Sequence, residues 1–408
     1  MKRMVGVILL ACLWFGALTR PAAAQTPEID RSLDSLGVTG KDRSFFRKLY
    51  DYFNESNVDR SFDRKMDWSI APGPNYSSDT KLGLGFLIAG LYRLDQADTV
   101  TAPSTVSIQG NVTTTGFFLL RVGGENEWRH NKYRLNYNAA FVYFPGSFWG
   151  IGYDQGYYNT PEAFKNTMFL LRSSFRSQFA RNTYWGVNMS MNYSAAKSSS
   201  KYDTHSSVFR DYLTASGEPS RIFNMGVGVL LQYDSRDFVS NASRGIYANV
   251  EFKVFPSWLS NTSKSFSQIN YTFDWYKRVW RGGVLAYDLY GESNSRNVCW
   301  NLYAKLGGMN RMRGYYEGRF RDKHMVETQV ELRQKVYNRH GVVVWTGVGN
   351  VFPSAKAFKW SHTLVSYGVG YRWEFKNRIN VRLDYGFGIK TGDGKRNTAF
   401  LFSAGESF

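Results

Sequence analysis

The chain has 408 residues with a formal charge of +18, two cysteines, 43% hydrophobic and 17% aromatic residues. Beyond the first 24 residues no apolar run approaches the roughly 20 residues a membrane helix requires, and one cysteine, Cys299, remains, which excludes an intramolecular disulfide. A balance this basic raises nucleic-acid binding, but the charge is read instead as basic loops and lumen positions facing lipid phosphates or an acidic partner.

At the N-terminus, Lys2 and Arg3 precede an apolar stretch over 5–18, and Ala22-Ala23-Ala24 before Gln25 supplies an A-x-A cleavage site. Residues 1–24 therefore read as a secretory signal peptide. Leu9-Leu10-Ala11-Cys12 loosely resembles a lipobox, but Leu13, Trp14 and Phe15 carry the apolar run past that cysteine. Cleavage removes Lys2, Arg3 and Arg20 and no acid, leaving +15. Residues 25–65 form a polar segment in which 42–54 has helical periodicity, with Phe45, Phe46, Leu49, Tyr50 and Phe53 on one side. Such a helix suits the periplasmic rim, the barrel lumen or a partner.

From Met66 to Phe408 the text becomes segments of barrel-strand length. The spacing predicts strands at 66–71, 82–94, 104–113, 116–122, 132–144, 165–179, 183–193, 223–233, 245–255, 266–280, 283–292, 325–336, 342–350, 364–373, 379–389 and 398–408. The expected fold is all-β, a 16-stranded antiparallel transmembrane β-barrel with a short N-terminal helical segment. With both ends in the periplasm, the outside connections are long and polar while inside ones such as Arg181-Asn182 and Arg281-Gly282 are tight. A sandwich gives no reason for that asymmetry. Alternation separates Val326, Thr328, Val330 and Leu332 from Glu327, Gln329, Glu331 and Arg333, and Val381, Leu383, Tyr385 and Phe387 from Arg382 and Asp384. The apolar sets suit lipid and the charged sets a polar lumen. On the last strand Phe400, Phe402, Ala404 and Phe408 are expected to share one face.

Between the eleventh and twelfth strands lies Arg311-Met312-Arg313-Gly314-Tyr315-Tyr316-Glu317-Gly318-Arg319-Phe320, three arginines and three aromatics among glycines that allow a tight turn. Met312-Arg313-Gly314-Tyr315 resembles the VRGF/Y loop motif of the BamA/TamA superfamily of outer-membrane insertases and two-partner secretion transporters. Tyr233-Asp234-Ser235-Arg236-Asp237, followed by Gly245, resembles that family's periplasmic turn between strands eight and nine, and Gly347-Val348-Gly349-Asn350 its thirteenth-strand motif. The aromatic terminal residue Phe408 resembles the signal by which such barrels are recognised for assembly. The resemblance covers about 66–408.

The resemblance implies that Arg313 points into the lumen as the loop anchor, with Gly314 and Tyr315 forming the turn and Glu331, then Glu327, as carboxylate partners. It also makes Asp234, Arg236 and Asp237 a motif turn. The family's strand-thirteen acid is replaced by Gly347, so the arginine is expected either to be held by fewer charges or to find a substitute such as Glu317 or Asp384. The segment before Met66 is too short for one periplasmic POTRA module, which points to the barrel-only branch. Pro72 and Pro74 predict a short first strand, hence incomplete pairing with the last, and Gly386, Gly388 and Gly405 are expected to soften that seam further. The implied function is insertion or translocation of proteins, or of lipids, at the bacterial outer membrane; a passive pore and a non-catalytic scaffold are the alternatives. The implied partners are outer-membrane lipids including lipopolysaccharide, client outer-membrane proteins, and periplasmic or outer-membrane accessory proteins, with no nucleic acid. The five histidines show no metal-ligand spacing and no phosphate-cradling or nucleophile motif occurs, so no enzyme activity, metal or cofactor is expected.

Overall fold

Alternation along the strands decides which side chains meet lipid. A charge on the lipid face costs about 2–4 kcal/mol at mid-membrane, and the structure, a computed structural model describing residues 65–98, 100–198, 207–376, 379–392 and 394–408, turns charges inward. The signal sequence and the 42–54 helix lie outside the described residues. The strands are β1 (Asp67–Ser77), β2 (Lys81–Tyr92), β3 (Ser104–Thr113), β4 (Phe118–Trp128), β5 (Tyr133–Phe148), β6 (Glu162–Ala180), β7 (Thr183–Ser198), β8 (Arg221–Asp234) and β9 (Gly245–Phe255). They continue with β10 (Phe266–Trp280), β11 (Gly283–Asn294), β12 (Ala304–Leu306), β13 (Phe320–Asp322), β14 (His324–Tyr337), β15 (His340–Phe352), β16 (Leu364–Lys376), β17 (Ile379–Lys390) and β18 (Arg396–Ala404). All but β12 and β13 close into one antiparallel barrel of 16 strands in which neighbours in sequence are neighbours in space, with β1 meeting β18. On β14, Glu327, Gln329, Glu331 and Arg333 are buried in the barrel while Val330 is exposed on the outer wall. Val227, Val229 and Leu231 on β8, and Val342, Val344 and Val348 on β15, extend that apolar wall.

Three expectations are corrected. The first strand does not stop at Pro72: β1 runs to Ser77 and pairs with β2 along its whole length, Asp67 with Leu91 through Ser77 with Lys81. A proline costs a ladder bond only on the side to which its nitrogen points, so a strand with one good neighbour tolerates it. The fourth strand runs past the expected 122 to Trp128, because Glu125, Asn126, Glu127 and Trp128 keep the alternation after Gly123-Gly124 and pair with β5. The last strand ends at Ala404, not Phe408. Gly405 (φ 91°) turns the final residues away from the wall, a conformation that L side chains rarely adopt.

The outer end of the barrel is covered by its own loops. Helix α1 (Tyr153–Tyr158) follows β5, and helix α2 (Val208–Ser216), capped by the Ser207 hydroxyl, precedes β8. Phe148, Phe164, Phe209, Ile222, Phe255, Phe266 and Trp300 make an apolar core among these loops. Cys299 lies in it, and burial pushes its thiol up to about 12. Helix α1 meets the loop between β11 and β14, with the Tyr153 ring 5.7 Å from that of Phe320.

Candidate functional site

The β11–β14 loop is held at its base by the two-stranded ribbon, where Ala304 opposes Asp322 and Leu306 opposes Phe320. Between them the chain folds into the lumen on an apolar stem of Leu306, Met312, Tyr315 and Phe320 packed against Met325, Val351 and Leu364. Met312 adopts φ 44°, and its carbonyl accepts the Tyr315 amide at 3.0 Å, closing the turn around Arg313-Gly314.

Arg313 is fully buried at the tip. Its guanidinium donates to Glu331 of β14 at 2.5 Å and to Asp384 of β17 at 2.9 Å. Its Cζ lies 3.7 Å from the ring centroid of Trp345 on β15. Glu327 shares the inward face of β14 but makes no ion pair with Arg313 among the described residues. Gly347, where the family places its acid, has no room for one: a Cβ there would meet the Thr328 carbonyl at 2.9 Å. The π face of Trp345, one inward position earlier on the same strand, and Asp384 two strands away take over the charge and the contact. Around this centre Arg333 donates to Glu331 (2.9 Å), and Arg372 reaches Asp384 and Glu406 (2.8 Å to the latter). Three cations thus alternate with three carboxylates in a space closed to water. Such a network is sensitive to losing any one member, because the partner left behind is a buried charge.

Two further arginines of the loop are seated separately. Arg311 makes a bidentate pair with Asp288 of β11, both bonds 2.7 Å, and lies 4.4 Å from the Tyr290 ring. Arg319 donates to the Gly156 carbonyl of α1 and to Asn397 and Thr391 near β18, each at 2.9 Å. Gly314 donates its amide to the Ser366 hydroxyl (3.3 Å), and the Tyr315 hydroxyl donates to the Val365 carbonyl (2.8 Å) while accepting the Ile389 amide (2.9 Å). The backbone approach explains the glycines of β17. A Cβ at Gly314 would meet the Phe387 carbonyl carbon at 2.3 Å, one at Gly386 the Arg313 carbonyl at 2.6 Å, and one at Gly388 the Tyr315 ring at 2.6 Å. Gly386 and Gly388 therefore make room for the loop; softening the seam is not what their positions do.

The motif turn between β8 and β9 is closed by its own side chains. Arg236 grips Asp234 through bonds of 3.0 and 2.8 Å and lies over Tyr247. Asp237 accepts the Ser243 amide (2.9 Å) and hydroxyl (2.7 Å). The same turn brings Ala242 against Tyr276, Ala286 and Phe408.

At the seam β1 and β18 pair only at Tyr76–Phe402 and Ser77–Leu401 among the described residues. Phe400 donates its amide towards β1, to the Ser78 hydroxyl at 3.0 Å. Amides two residues apart on a strand point the same way, so Phe402 and Tyr76 form the hydrogen-bonded pair. Pro72 and Pro74 share the parity of Tyr76 and put their donor-less nitrogens on the seam. Extending the register would oppose Pro74 to Ala404 and Pro72 to Glu406. Instead the tail turns into the lumen: Glu406 pairs with Arg372, Ser407 donates to Glu331 (2.9 Å), and the Phe408 carbonyl accepts from Arg333 (3.0 Å). Beside the seam, the Asp79 carboxylate in the β1–β2 turn accepts the Glu317 amide at 3.1 Å, tying the first hairpin to the loop. Burial, reinforced by the nearby Glu317 carboxylate, pushes Asp79 up to about 7.

Sequence reasoning missed Trp345, Arg372, Glu406 and Asp79. Strand parity was a usable signal for the first two, which share inward faces with Gly347 and Gly370; nothing in the sequence marks Glu406 or Asp79 as contacts.

An Omp85 superfamily domain model matches residues 105–408, well over half of the chain. No curated protein matches. Among solved structures the chain is similar to BamA from Haemophilus ducreyi lacking POTRA domains 1–3, at 12% identity and TM-score 0.56, covering 83% of this chain and 70% of that one. It is similar to CdiB from Acinetobacter baumannii at 10% identity and TM-score 0.55, over 84% of this chain and 60% of that one. CdiB from Escherichia coli gives 9% identity and TM-score 0.52, over 86% and 69%. At these identities the likeness is one of fold.

Proposed function

The chain belongs to the Omp85 superfamily of outer-membrane barrels, and on that premise we propose that it assists the insertion or translocation of proteins at the outer membrane through a lateral seam between β1 and β18. The observation that carries this reading is the two-pair junction of those strands. Below Tyr76 no pairing of β1 with β18 is found among the described residues, and Pro72 and Pro74 bring no amide to that side. An exposed sheet edge of this kind recruits a strand by β-augmentation. The inward tail does not extend the β18 ladder along β1, and the Arg313 network holds the neighbouring wall while the seam parts. The reading is non-enzymatic: the protein supplies an edge and an opening, and client strands supply the bonds.

The test is a reversible lock. Ser77→Cys with Leu401→Cys places two thiols on directly opposed positions of the seam. Cells dependent on the oxidised variant should lose outer-membrane proteins from their envelope proteome and regain them on reduction. Normal protein content with the seam cross-linked would refute the lateral reading.

A further inference from the structure

The turn joining β4 to β5 is built unlike its neighbour. Two residues, Arg181 and Asn182, join β6 to β7, whereas residues 129–132 join β4 to β5, and three of these in succession are left-handed: Arg129 (φ 52°), His130 (φ 57°) and Asn131 (φ 63°). Such a conformation is strained for a non-glycine residue and persists only where its surroundings over-determine it. Here the adjacent turn does so. The His130 amide donates to the Thr101 hydroxyl at 2.9 Å, and the Asn131 side-chain carbonyl accepts the Ala102 amide at 2.7 Å.

The strain sets two cations against one ring. Arg129 and Lys132, both exposed, lie 5.8 and 5.5 Å from the centroid of Tyr133. Tyr133 stacks on Phe175 at 5.9 Å, and Trp128 lies 6.2 Å from Tyr133 and 6.1 Å from Phe175. Trp128 has the parity of Phe118, Leu120 and Val122, which are exposed on the apolar outer wall, so the aromatic platform belongs to the lipid-facing surface. No carboxylate pairs with Arg129 or Lys132 among the described residues; the nearest acid of the adjacent turn, Asp98, faces His130 at 3.9 Å. Arg181, also exposed, adds a third cation at the next turn.

We propose that this sector of the rim is a binding site for a phospholipid of the periplasmic leaflet. Arg129 and Lys132 hold the phosphate, and Tyr133, Trp128 and Phe175 receive the glycerol and upper acyl region. Amphipathic aromatics at headgroup level beside paired cations match an interfacial anion with an apolar body. A protein docking from the periplasm would meet the underside of the turns, whereas these cations stand over the ring that faces lipid. The proposal rests on the outer-membrane reading and on the short turns facing the periplasm, and is independent of whether the seam opens.

The probe is phosphatidylglycerol. The full-length chain in nanodiscs of phosphatidylethanolamine and phosphatidylglycerol, released into the gas phase for native mass spectrometry, should retain a phosphatidylglycerol adduct. Arg129→Gln with Lys132→Gln should weaken retention about thirtyfold, the combined effect of two interfacial cations, while Arg129→Lys with Lys132→Arg should preserve it. Heat-modifiability on gels checks that each variant is a folded barrel. Should the double variant fold poorly, Lys132→Gln alone and wild type at high salt should each reduce the adduct. Equal adducts in wild type and the folded charge-removed variants would overturn the proposal, as would loss of a co-purifying acidic periplasmic protein with lipid adducts unchanged.

Discussion

The loop dock and the seam lie within two strands of each other and are joined in opposite ways. At the dock, a guanidinium with no exposed surface meets carboxylates from β14 and β17 and an indole from β15, and glycine-to-backbone contact leaves no gap. At the seam, two residue pairs among the described residues close the barrel, prolines remove donors, and the tail that would lengthen the ladder is drawn into the lumen. The same residues account for both: Arg333 and Arg372 serve the Arg313 network and also hold Glu406 and Phe408 inside. Strength on one side of β17 is thus coupled to weakness on the other. This division of strength is what the proposed parting at the seam would draw on.

The largest expected effect comes from breaking the dock. Arg313→Ala leaves Glu331 and Asp384 buried with fewer cations, a loss of about 3–5 kcal/mol. The variant should lower the yield of heat-modifiable barrel and its unfolding temperature, and wild-type values would remove the anchor role. Gly314→Ala keeps every charge but drives a Cβ to 2.3 Å from the Phe387 backbone. Overpacking against backbone that cannot yield costs about 1–3 kcal/mol, so the loop should undock in part and become open to protease between Gly308 and Gly318, with the outer wall intact.

The smallest effect tests the link between the two regions. Asp79 faces Glu317, Tyr316 and Lys81, and its carboxyl is pushed from 3.8 up to about 7. An acid whose folded value lies above its unfolded one binds more protons when folded, so its contribution to stability is fully present below about 4 and is lost as pH rises through about 7. Amide exchange at the β1–β2 turn should therefore quicken from pH 5 to pH 8, after correction for intrinsic rates, and Asp79→Asn should flatten the dependence. A pH response unchanged in that variant would place the coupling elsewhere.

Much of the barrel was legible because a membrane wall imposes a simple rule on sequence. Lipid on one side and water on the other force a two-residue period, and chain ends on one side force long and short connections to alternate. The second strand and those from 104 to 113, 245 to 255 and 266 to 280 follow that rule closely. The rule is silent where chain leaves the wall. The prolines of β1 looked like a terminus because parity against a neighbour is invisible in one strand, and Phe408 looked like wall because its spacing fits; Gly405 and a buried Arg372 took it inside. Gly386 and Gly388 look like weak points when read along the strand, and only their opposition to the Arg313-Gly314-Tyr315 backbone gives them a reason.

The sequence by itself determined the sixteen strands, their inward and outward faces, the arginine-rich loop and Glu331 as an inward carboxylate, since each depends on local periodicity and on the cost of charge in lipid. Tertiary structure decided what Arg313 holds, how the tail folds and how little of the seam is paired. Those depend on side chains from strands far apart in sequence arriving at one buried point, where the solvation cost of a charge, not the period of the chain, selects the partner.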